Sequence, residues 1–132
     1  LLAKRLAEIR ADVEKTLQAR SPLNRFEDVD PDVIEKWEKE LKAAIEAEYR
    51  RRRDAVLATV GWWLRDIWLQ TLNGRETRLV FPGLATTREL ATRLATRTAL
   101  ENLTVLAEMQ RLLHTNVQEA LALEVGILKL RF

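Results

Sequence analysis

Cysteine is absent from the chain and histidine occurs once. Without cysteine there is no disulfide scaffold, no thiolate zinc site, no iron–sulfur cluster and no sulfur nucleophile. A single histidine does not supply a His-based metal centre or a catalytic triad. Only 4 glycines and 3 prolines punctuate 132 residues, too few for a turn-dense β protein. No apolar run approaches the ~20 residues that span a bilayer, so no membrane partner is expected. Neither sign of charge dominates, because 22 Lys+Arg face 20 Asp+Glu. Residues 1–60 hold 13 basic and 13 acidic side chains, and residues 61–132 hold 9 and 7. The chain is therefore not polybasic. Phosphate-cradling GxxxxGK[ST] and GxGxxG loops are missing, as are HExxH and GxSxG. Neither catalysis nor a cofactor is expected within the chain.

What is present is helical periodicity over nearly the whole length. Leu2, Leu6, Ile9, Val13 and Leu17 recur at three- and four-residue steps, one face of a helix. Ser21-Pro22 stops it, since the residue before proline is pushed out of the α region. Residues 23–29 read as a connector, with Phe26 expected to anchor into the core. Asp30-Pro31 is a start signal, combining a capping carboxylate with a proline suited to the first helical position. Ile34, Trp37, Leu41, Ala44, Ile45 and Tyr49 carry the next stripe, which continues through Val56, Leu57, Val60, Leu64, Ile67, Trp68 and Leu72. One helix over about 31–72, or two bent near Gly61, is expected, with Asn73-Gly74 as its stop. Residues 75–85 read as a loop. Thr86 with Glu89, Thr98 with Glu101, and Asn116 with Glu119 each carry the spacing of a capping box. They predict a short helix through Leu94, another through Leu113, and a last one over Val117–Leu130.

The expected fold class is all-α: one helical domain over 1–132, five or six helices around one core and no sheet. The main bundle covers 30–132. The 1–20 helix belongs either to this domain or to a preceding lid domain. The chain opens on Leu1 inside a helical pattern, so it is expected to be a piece of a longer one. No signal peptide is visible, and the expected location is cytoplasmic.

Three features bear on function. Arg50, Arg51, Arg52 and Arg53 form a cationic run that could contact phosphates. Four consecutive helical residues spread around the circumference, and Glu46, Glu48 and Asp54 offset the charge, so a solvated or ion-pairing role is favoured. On the following turns Val56, Leu57, Val60, Trp63, Leu64, Ile67 and Trp68 share a core arc. Trp62 and Leu69 fall on the far side, flanked by Arg65 and Asp66. An aromatic opposite the core packs under another helix or makes a protein–protein contact, where Trp and Arg are enriched. It also favours self-association of the isolated fragment. The last helix carries two apolar stripes, Val117/Leu121/Val125/Leu128 and Ala120/Leu123/Ile127/Leu130, separated on one side by Glu124 and Arg131. Such a helix is expected to be buried from two sides. Trp62, Arg65, Asp66, Leu69, Glu124, Ile127 and Arg131 are therefore the candidate interface residues. His114, just before Asn116, suits the negative end of a helix.

The order Trp63-Leu64-Arg65-Asp66, the Asn73-Gly74 stop, a short capped helix, and Asn116 … Leu121-Ala122-Leu123-Glu124 … Leu128 … Leu130 resembles the C-terminal domain of bacterial DNA polymerase III clamp-loader subunits. The delta prime subunit is nearest and gamma/tau is its neighbour. The resemblance covers about residues 55–130. Gln118 and Glu119 stand where the family often has a second Asn followed by Pro. The resemblance implies a helical collar, a structural oligomerisation domain that joins gamma/tau and delta subunits in a heteropentamer. By the same resemblance the ring would place the sliding clamp on primed DNA during replication, and this domain would meet DNA only indirectly. ATPase and arginine-finger elements would belong to other domains. The alternative reading is a helical nucleic-acid-binding domain using Arg50–Arg53.

Overall fold

The structure, a computed structural model, describes residues 1–72 and 78–132. Among them the chain is all-α, with five α-helices and no strand. These are α1 (Leu2–Arg20), α2 (Pro31–Thr71), α3 (Ala85–Arg93), α4 (Thr96–Leu113) and α5 (Glu119–Lys129), with a short 3₁₀ helix at Pro22–Asn24. The expected stop at Asn73-Gly74 lies outside the described residues. No described helix is long and apolar enough to cross a membrane.

The breaks around residues 20–31 follow local chemistry. Ser21 is extended ahead of Pro22 (φ −66°, ψ 139°), and its Oγ accepts the Leu23 amide at 3.3 Å to start the 3₁₀ turn. Asp30 Oδ1 accepts the Asp32 amide at 2.9 Å, so α2 begins at Pro31 as the cap-plus-proline signal predicts. α2 then continues through Gly61, and of the two expected arrangements the single helix is the one formed. Phe26 does not anchor the core. It is exposed and lies against the Trp37 ring, with centroids 6.0 Å apart. The connector runs over the surface, as loops do, and Phe26 finds its apolar neighbour there.

Internal contacts gather into two compact units, 1–55 and 56–132. In the first, Leu6, Val13 and Tyr49 are buried, and charged side chains complete the packing. The Arg10 guanidinium lies 3.9 Å from the Tyr49 ring centre and donates to Glu46 at 2.6 Å. In the second unit Leu57, Leu64 and Ile67 of α2 are buried, together with Ala99, Leu106, Met109, Leu113, Ala122 and Leu123. The α2 arc read from periodicity is thus the core-facing one. α4 packs on α5 at close range. A Cβ placed on Gly126 would come within about 3 Å of three Met109 side-chain atoms, so the glycine is what lets the two helices approach.

The three capping boxes do not form. α3 starts at Ala85 with Leu84 as its cap, one residue before Thr86. α4 starts at Thr96 behind Ala95, two before Thr98. α5 starts at Glu119 behind Gln118, three after Asn116. None of these caps makes a side-chain hydrogen bond. Other partners set the boundaries. Extended Leu94 and Ala95 separate α3 from α4. Before α5, the Thr115 hydroxyl donates to the Leu112 carbonyl at 2.7 Å and accepts the Val117 amide at 3.4 Å. That turn delays the last helix past Val117. His114 caps the C-terminus of α4 as expected, its amide donating to the Arg111 carbonyl at 3.2 Å.

Candidate interaction surfaces

The arginine run resolves into four environments. Arg51 donates twice to Glu48, both bonds at 2.8 Å. Arg52 joins Glu48 at 2.8 Å to Asp12 of α1 at 2.6 Å. Arg53 is buried, with Nε and Nη2 each 3.1 Å from Asp54 Oδ1. Arg50 is exposed. The hydrogen bonds from Arg51 and Arg52 pull the Glu48 carboxyl down to about 2 from its usual 4.5. The run therefore ties α1 to α2 within the first unit and does not lie as a flat row of cations.

The α2 candidates separate. Trp62 is 51% exposed, with the Arg65 guanidinium 5.6 Å from its ring centre, within range of a cation–π contact. Leu69 is half-buried. Asp66 is not a surface residue: it is wholly buried. Its Oδ1 accepts the Val80 amide at 3.1 Å and its Oδ2 the Phe81 amide at 2.7 Å. Both carboxylate oxygens thus hold the turn that leads into α3, and periodicity alone counts such a residue as solvated. Arg65 also donates to the Arg78 carbonyl at 3.3 Å. Of the four, only Trp62 is exposed, with half-buried Arg65 against its ring.

α5 is buried from one side within the chain, not two. Ala122, Leu123 and Gly126 face inward, whereas Leu121, Val125 and Leu128 are exposed, Leu128 by 77%. Val117 and Ile127 are exposed as well. Glu124 and Lys129 flank the stripe in sequence and reach solvent. Val125 also borders an apolar cleft of about 200 Å³ walled by Val105, Met109 and Leu112 of α4. Arg131 is exposed, but its backbone is fixed. Asn102, buried on α4, donates to the Arg131 carbonyl at 2.7 Å and accepts the Arg131 amide at 2.9 Å. Beside it, Phe132 lies against Trp63, centroids 5.9 Å apart. Trp63 Nε1 in turn donates to buried Thr87 at 3.1 Å.

Asn102 and Thr87 carry no motif signal, because their partners stand 24 or more residues away. No group of three or more His, Asp or Glu side chains that could hold a metal ion occurs among the described residues. The chain matches no protein-family model, no curated protein and no solved structure in the comparisons made.

Proposed function

We propose that this chain is a structural assembly domain, and specifically a collar-type domain of a DNA polymerase III clamp-loader subunit. In that role it joins gamma/tau and delta partners in the cytoplasm and touches DNA only through them. The observation that carries the reading is the exposed Leu121/Val125/Leu128 stripe on α5. A helix that buries one face on its own core and presents a second apolar face has the makings of a contact helix. Trp62 with Arg65 supplies a second accessible anchor of the residue types enriched at interfaces. The nucleic-acid alternative gains nothing from Arg51, Arg52 and Arg53, whose charges are met by Glu48, Asp12 and Asp54. Unspecific affinity for DNA needs several uncompensated cations.

The test is reconstitution of the full-length subunit with its loader partners. Leu121→Glu with Leu128→Glu is expected to abolish incorporation into the loader while the circular dichroism of the domain stays helical. Normal incorporation of that double variant would overturn the reading.

A further inference from the structure

The exposed face of α5 carries the residue spacing of a coiled-coil seam. Leu121 and Leu128 lie seven residues apart with Val125 between them, and all three are exposed. With the leucines at position d of a heptad, Val125 falls at a. Val at a and Leu at d is the pairing that favours two parallel strands. In the same frame Glu124 is a g residue and Lys129 the following e residue. In a parallel pair, g of one helix meets the e five residues on in its partner. Glu124 would therefore meet Lys129 of the second copy, and by symmetry the bond would form twice. Both side chains reach solvent, and Glu124 makes no ion pair among the described residues. The back of the helix, at Leu123 and Gly126, and Ala122 at the first e position are occupied within the chain.

We infer that two copies of the chain associate through a parallel α5–α5 seam, with apolar contacts at Leu121, Val125 and Leu128 and reciprocal Glu124–Lys129 bridges. The inference rests on the assembly reading only in taking α5 for a contact helix. Eleven helical residues give a seam of about 16 Å, shorter than a standard interface requires. The association is accordingly weak and concentration-dependent. Antiparallel pairing would set g against g and e against e, leaving Glu124 and Lys129 apart.

Sedimentation equilibrium of the chain over a concentration series tests this. The wild type is expected to move from monomer towards dimer. Glu124→Lys alone and Lys129→Glu alone should each weaken association about tenfold by turning two attractions into two repulsions. Mixing the two single variants should restore it, because each then meets its opposite. Leu121→Glu should abolish it with the helical spectrum unchanged. A wild type that stays monomeric throughout, or a mixture no better than either variant, would overturn the proposal. Loader reconstitution reports separately on the assembly reading, so the two can fail independently.

Discussion

Two buried polar side chains, Asp66 and Asn102, hold backbone that has no regular structure of its own. Asp66→Ala frees the Val80 and Phe81 amides and is expected to cost about 2–3 kcal/mol, the scale of hydrogen bonds to a charged group. Asn102→Ala should cost about 1–3 kcal/mol by freeing Arg131. Urea unfolding of both variants measures this. Trp62→Ala should cost less than about 1 kcal/mol in the same assay, because half of the ring already faces water. A loss near 3 kcal/mol would make Trp62 an ordinary core residue. Trp62 was legible from the sequence because its place opposite the Leu57/Leu64 arc is a local property of helix geometry. Asp66 was not. Its role depends on a turn fourteen and fifteen residues further on, and periodicity treats every Asp alike.

Helices were legible from the sequence where a stripe of apolar residues repeats, as in α1 and α2. Their ends were legible where a proline acts, at Pro22 and Pro31. The starts of α3, α4 and α5 were not, because a Thr or Asn near a helix start offers a cap without fixing which residue takes that position. The two-stripe pattern of α5 was legible too, but which stripe faces α4 depends on Gly126, whose missing side chain admits Met109. Gly126→Ala is expected to destabilise the second unit by about 1–3 kcal/mol through overpacking against Met109. In a Met109→Ala background, itself about 2–5 kcal/mol less stable than wild type, Gly126→Ala should cost less than it does alone, because the truncated side chain vacates space the methyl needs. Thermal unfolding of the single and double variants checks both statements.

The molecule joins a charge-rich unit, residues 1–55, and a less charged one, residues 56–132, and solvent conditions act on them differently. Glu48 has a folded pKa of about 2 against its usual 4.5. Its contribution is fully present above about pH 4.5 and is lost as pH falls towards 2. Glu48→Gln should therefore be less stable than wild type near neutrality and approach it only as the pH falls through 2, as chemical denaturation at several pH values would show. One molar salt, which shortens the screening length to about 3 Å, should reduce amide protection in residues 1–55 more than in 56–132 in hydrogen-exchange measurements. The clamp between Asn102 and Arg131 has a further consequence in the time order of synthesis. The ribosome delivers Arg131 29 residues after Asn102, roughly 1.5–6 s later at ordinary elongation rates. Asp66 meets its partners after fourteen and fifteen residues. A nascent chain thus holds α4 with the Asn102 amide unpartnered while the Asp66 turn can already close, and the α4–α5 pair is the last part of the second unit to be secured.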